Sequence, residues 1–196
     1  MAAPKQGLRE LKKARTRAAI QTAALRLFRE RGYEATTVEQ VARAAEVAHT
    51  TVFRYFPTKE DLVITDEADP VFFAELRAQP ADLTPVRALR AAMRAVLDVA
   101  SADDIANGRE RTVLILSVPA LRGAAFENYV ETMRTATAIL AERAGRDPDD
   151  VAVRTITGAA FGIMLDLMLR WSQDASLNLA EALDEALATL EPIPFP

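Results

Sequence analysis

Cysteine is missing from all 196 residues, and histidine occurs once, at His49. The first absence excludes disulfides, thiolate nucleophiles and cysteine-ligated metals, and the second excludes a multi-histidine zinc site within one chain. No cofactor or metal is therefore expected. No Gly-x-Ser-x-Gly elbow, phosphate-cradling glycine loop or nuclease carboxylate motif occurs, and Ser117 has no histidine near it in sequence. Scattered acids such as Glu131 and Asp166 read as solvated helix faces, so the chain is not expected to be an enzyme. The opening MAAPKQGLRELKKARTRAAI lacks the uninterrupted apolar stretch of a signal peptide, and no later run reaches membrane-spanning length without charge. Cytoplasmic residence with no membrane partner is the simplest expectation.

What is present is a helical pattern and an uneven charge distribution. A chain of this length buries a substantial core, as one elongated helical body or two modest domains. The net charge is −4, yet residues 1–60 carry twelve Lys and Arg against six acids, leaving twelve against twenty-two for the remainder. A basic excess confined to one end rewards contact with a phosphate backbone there, whatever the total charge.

That end contains TTVEQVARAAEVAHTTVFRYFPTKEDL, residues 36–62. Thr36 or Thr37 can cap a helix with Glu39 and Gln40 in its opening turn, and Val38, Val41, Ala42 and Ala45 return at helical spacing. A second helix starts near Ala48, presents Val52, Phe53 and Phe56, and ends at Pro57. Ala44-Ala45-Glu46-Val47 leaves room only for a turn. Two short helices crossing through small residues form a helix-turn-helix, whose second member can enter a major groove. Alanine-rich hairpins share that spacing, so the added weight comes from the basic excess and from Thr37, Thr50, Thr51, Tyr55 and Lys59 around the second helix. His49, Thr50, Thr51 and Arg54 are the candidates for base edges, while Tyr55 and Lys59 are candidates for phosphate. Arg54 has a competing role as a salt-bridge brace. Val52 and Phe56, four residues apart, should face the core. Upstream, Ile20, Ala23, Ala24, Leu27 and Phe28 predict a helix over 16–31 closed by Gly32, with Tyr33 in the core. Residues 1–10 read as disordered, and Lys12, Lys13, Arg15 and Arg17 as a basic arm on DNA or a solvated tail.

With LRLFRERGYEAT before it, this run resembles the DNA-binding domain of the TetR family of transcriptional regulators. The resemblance rests on the Phe28–Gly32 segment, the Thr-Thr-Val start and the Phe53–Glu60 run, and covers about residues 15–62. It implies a homodimer that binds a palindromic double-stranded DNA operator, usually as a repressor, and releases it when a small molecule enters the larger domain. The chain departs from the family's frequent residues at Glu46 (turn Gly), Ala48 (Ser or Thr cap) and Phe53 (Tyr).

The expected architecture is all-α, with a three-helix DNA-binding domain at 1–57 and a helical effector-binding and dimerisation domain at 58–196. A helix starting at Thr58, with Pro70 as a kink, should link them. Pro85 opens a helix with Val86, Leu89, Met93, Val96 and Leu97. Asn107-Gly108 permits a bend, RERTVLILSVPAL reads as a mostly buried helix with a strand as competitor, and 121–143 as another helix. In Val151–Trp171, Gly158 and Gly162 with Ala159 form a seam for close helix approach; Leu179, Leu183 and Leu187 mark a final helix. Pairing these two helices with their symmetry mates would give a four-helix dimer interface, a monomer core being the competing reading. Met93, Arg94, Leu97, Arg111, Leu114, Phe126, Tyr129, Met133, Phe161, Met164 and Trp171 are the candidate effector residues, since Met and aromatic side chains line adaptable pockets. The C-terminal half faintly resembles family members that sense acyl-CoA or related lipids, which implies an apolar or amphipathic effector. A constitutive DNA-binding dimer without an effector is the alternative.

Overall fold

The computed structural model describes residues 6–65 and 68–192. It contains ten helices among those residues and falls into two compact units. The first unit comprises 1–65 together with 114–124, and the second 66–113 together with 125–196. The first unit thus extends past Pro57 and takes in a distant stretch of chain.

In the first unit α1 runs Gln6–Arg31, α2 Val38–Ala44, α3 His49–Tyr55 and α4 Asp61–Ile64. Helix α1 starts ten residues before the helix expected from residue 16. Leu, Lys, Arg, Glu and Ala over 8–15 are strong helix formers, so propensity favours the extension. The disorder expected for 1–10 therefore fails from Gln6 onward, and for 1–5 it lies outside the described residues. Gly32, at φ +85°, ends α1 in the left-handed region. Buried Thr36 donates its hydroxyl to the carbonyls of Gly32 (2.8 Å) and Leu27 (3.3 Å), tying off the same end. Thr37 caps α2 through a reciprocal pair with Gln40. The core gathers Ile20, Leu27, Phe28, Tyr33, Val41, Val52, Phe56 and Leu62, and Leu121 joins them fully buried.

The turn between α2 and α3 places Glu46 at φ +54°. A side chain there costs roughly 1–2 kcal/mol relative to the right-handed region. Glycine removes that cost but adds about 0.5–1 kcal/mol of unfolded-state entropy. Glu46→Gly is accordingly expected to raise stability by up to about 1 kcal/mol, read as a higher urea midpoint at unchanged slope.

In the second unit α5 runs Ala68–Ala78, α6 Pro85–Val99, α7 Ala102–Ser117, α8 Pro119–Ala144, α9 Val151–Gln173 and α10 Leu179–Ala188, with the last turn of α7 and the first of α8 counted in the first unit. The single linking helix expected from Thr58 is instead α4 and α5. Thr58 exchanges hydrogen bonds with Asp61, although the N-cap of α4 is Glu60, and the break comes before Pro70, which lies in the first turn of α5, where its missing N–H has no partner to lose. Asn107-Gly108 produces no bend: both lie inside α7. Gly108 serves contact instead, because a Cβ there would meet Trp171 Cη2 at 3.4 Å. Arg109 reinforces the seam, its guanidinium donating to the carbonyls of Trp171 (2.9 Å) and Ser172 (3.0 Å) at the end of α9. VLILS is helical rather than extended, with α7 ending before Val118, yet none of α7 is fully buried. The core of this unit is built by α5, α6, α8, α9 and α10, around Phe72, Leu76, Leu89, Ile139, Leu140, Ile156, Phe161, Leu183 and Leu187.

Helix α9 is the described helix long and apolar enough to cross a membrane by length and composition. Here its inner face is buried, with Val153, Ile156, Ala160 and Leu167 in the unit's own core and Trp171 against Gly108. Among the described residues it reads as a core helix with a second apolar face.

Candidate functional site

Helix α3 divides cleanly by face. Val52 and Phe56 are buried, whereas His49, Thr50, Phe53 and Arg54 are exposed and Thr51 and Tyr55 are half-buried. Ala48 is the N-cap and supplies no side-chain hydrogen bond. The α3 N-terminus therefore keeps unpaired N–H groups at the surface that also carries His49 and Thr50. The Arg54 guanidinium lies over the Tyr55 ring, 5.3 Å from its centroid. Tyr55 itself packs against the core of the unit. Thr37 is exposed at the start of α2, with its hydroxyl already accepting from the Gln40 N–H.

Lys59 is more committed than its sequence position suggests. Its ammonium donates to the Tyr33 carbonyl at 2.6 Å and stands over the Tyr33 ring at 4.2 Å. The Tyr33 hydroxyl donates to Glu60 Oε1 at 3.1 Å, and burial and that carboxylate both push its pKa upward. Lys59 thus pins the loop after α3 to the turn after α1. An ammonium has three donors, so a phosphate could still share it.

Two residues absent from the sequence-level site enter here. Glu39 Oε1, in the first turn of α2, lies 3.1 Å from His49 Nε2. The His49 ring meets Phe53 edge-on, centroids 4.7 Å apart. The signal was legible only as an acid and a histidine flanking one tight turn; helical periodicity within either helix does not register a pair across it.

Residues 20–65 match the family described as bacterial regulatory proteins, tetR family, and residues 83–193 match the MftR C-terminal domain of the same group. The chain belongs to the TetR family. Among similar proteins, TcmR of Streptomyces glaucescens is 46% identical over 93 residues, covering 46% of this chain and 41% of TcmR. The candidate mycofactocin biosynthesis transcriptional regulator MftR of Mycobacterium tuberculosis is 28% identical over 170 residues, covering 85% of both chains. Among solved structures, Thermus thermophilus FadR, a TetR-family repressor in complex with lauroyl-CoA, superposes with a TM-score of 0.56 at 26% identity, covering 92% of this chain and 96% of that one. The all-α architecture expected from sequence is that of the family, and TetR-family regulators bind DNA, generally as dimers, and are not enzymes.

Within this TetR-family chain the candidate effector residues divide. Met93, Leu97, Tyr129, Met133 and Met164 are partly buried against the second unit's core, to which Phe161 belongs. Tyr129 donates its hydroxyl to the Phe161 carbonyl and meets the Phe161 ring edge-on, and burial pushes its pKa up to about 12. Trp171 is buried against Gly108. Four placements depart from that gathering. Leu114 packs in the first unit. Phe126 is exposed. Arg111 is half-buried on α7. Arg94 is exposed, paired with Asp98 at 3.9 Å, and lines a depression of ≈ 430 Å³ with Arg87, Arg90, Asp184 and Glu191. In that depression Arg90 is bidentate to Asp184 and holds its carboxyl below the usual range, while Arg87 first and then Arg90 do the same for Glu191. Its arginines are thereby largely neutralised by the chain itself.

The candidate dimer residues also divide. Gly158 and Gly162 are exposed and Ala159 is half-buried on α9. Leu183 and Leu187 on α10 are instead buried in the core of their own unit, and Leu179 packs against it. The α10 leucine stripe is consumed within one chain, because α10 packs on α6 and α9.

Proposed function

We propose that the chain is a cytoplasmic, homodimeric repressor that reads a palindromic operator with α3 and leaves it when a small apolar or amphipathic effector binds the second unit. The observation that carries the DNA reading is the division of α3. Its apolar residues anchor it from behind, while His49, Thr50 and Arg54 stand outward beside an uncapped helix N-terminus. That arrangement suits a recognition helix, whose N-terminal residues meet base edges. Thr37, Thr51, Tyr55 and Lys59 surround it at positions suited to phosphate or groove contact. The effector reading is supported by Met93, Leu97, Tyr129, Met133, Phe161 and Met164 gathering at one core. The likeness to a regulator solved with lauroyl-CoA favours an acyl-CoA-like or other lipidic ligand. Such a ligand must prefer the operator-incompetent state, since equal affinity for both states shifts nothing.

The test begins with selection of duplexes from a random library, followed by titration of the enriched operator against unrelated DNA. Arg54→Ala is expected to lose roughly 1–3 kcal/mol of discrimination at one position per half-site while nonspecific binding holds. Equal loss on operator and unrelated duplex would reduce Arg54 to a phosphate or bracing role. Titrating fatty acids, acyl-CoAs and aromatic compounds into the operator complex should release DNA with the lipidic series. If none releases DNA, the effector part of the proposal fails.

A further inference from the structure

Glu39 and His49 sit on opposite sides of the turn that joins α2 to α3. His49 Nε2 lies 3.1 Å from Glu39 Oε1, and both side chains are exposed, so the contact is not imposed by burial. From the other direction the ring is braced by Phe53, at 75° to it. The Glu39 carboxyl is held below the usual carboxylate range, first by its own backbone N–H, then by the Thr37 hydroxyl, with His49 adding to both. An ionised carboxylate only accepts hydrogen bonds, so the hydrogen in this contact resides on Nε2. In a neutral imidazole that leaves Nδ1 bare, as an acceptor. One polar and one aromatic contact thus hold the ring's orientation and tautomer at the first position of α3.

We propose that Glu39 is a positioning residue that presents His49 to the major groove as a hydrogen-bond acceptor, selecting the exocyclic amino group of adenine or cytosine and disfavouring guanine. The inference rests on the DNA reading above. Guanine shows the groove two acceptors, N7 and O6, which would face the bare nitrogen without a hydrogen between them. Adenine N6 and cytosine N4 each offer an N–H. A histidine free to choose its tautomer could satisfy either kind of base, so Glu39 turns a permissive reader into a selective one. A purely mechanical role for the pair is the weaker account, because a contact between two exposed side chains contributes little to stability.

The experiment is selection from a randomised duplex library with the full chain at about pH 8. Wild type is compared with Glu39→Gln, Glu39→Ala and His49→Ala. A glutamine amide can accept from or donate to the ring, so it releases the tautomer without removing the contact. The wild type is expected to enrich a palindrome with adenine or cytosine at one position per half-site. In both Glu39 variants guanine at that position should gain on the order of tenfold in relative binding, within the range of one base contact, with other positions unchanged. His49→Ala should lose the preference there. A wild-type motif whose base preferences survive both Glu39 substitutions overturns the role of Glu39, as does uniform weakening at every position. A wild type that enriches no motif overturns the DNA reading itself, and this proposal with it.

Discussion

Phe56→Ala is expected to cost the chain about 3–5 kcal/mol, the usual range for deleting a buried phenyl ring. For a chain of this size that is a fall of roughly 6–20 °C in the thermal transition followed by circular dichroism. Phe56 is 1% exposed and lies in the core that binds α3 to α1, α2 and α4. Its neighbour Pro57 stops the helix, so no alternative register of α3 can bring another side chain into the space. The Arg17 guanidinium, 5.4 Å from the ring centroid, loses its aromatic platform as well. Phe53→Ala is the matched control. That ring stands three residues earlier on the same helix and is 40% exposed, so its removal should leave the transition within about 1 kcal/mol of wild type. If the two variants melt alike, the facing of α3 described here is wrong.

This contrast also marks where sequence was sufficient. Positions whose role is local were legible: Gly32 as a C-cap, an N-cap at Thr36 or Thr37, which the structure assigns to Thr37, Pro57 as a stop, and Val52 with Phe56 as the inward pair. Each follows from backbone chemistry or helical spacing within one turn. Positions decided by tertiary contact were not. Gly108 looked like a hinge because glycine after asparagine favours turns, but it is a contact surface for Trp171, sixty-three residues away in sequence. Leu183 and Leu187 looked like an interface stripe, yet periodicity reports that a helix has an apolar face and not what covers it. Leu114 shared its composition with the effector candidates, although its last turn of α7 belongs to the first unit. The Glu39–His49 pair crosses a turn, where no period applies. Pro70 was recognised as a breaker, but a proline stabilises the first turn of the helix it opens, so the interruption falls upstream of it.

Gly162→Arg is expected to convert the dimer to a monomer at micromolar concentration by light scattering. It should weaken operator binding on the order of a hundredfold, the lower end of what linking two binding modules provides. The substitution falls on the outer face of α9. Val151, Gly158, Gly162, Leu165 and Leu169 are all exposed there, at spacings of seven, four, three and four. A Cβ built on Gly158 or Gly162 meets nothing within 4 Å in the chain. Neither glycine is therefore required by the chain's own packing, although each weakens a helix interior by roughly 0.5–1 kcal/mol relative to alanine. Close approach of a second helix is the physical reason to retain them, since small residues let backbones come together. An arginine at 162 would place a charged chain in that seam, where a buried unpaired charge is strongly disfavoured. Because the site is open in one chain, the variant should remain folded, with helical content at least that of wild type. That separates the result from substitutions at Leu183 or Leu187, which would remove core contacts and lower stability first. A Gly162→Arg protein that stays dimeric and keeps its operator affinity would exclude this face of α9 as the interface. A folded monomer that still binds one half-site weakly, with the wild-type base preferences, would assign reading to α3 and pairing to α9.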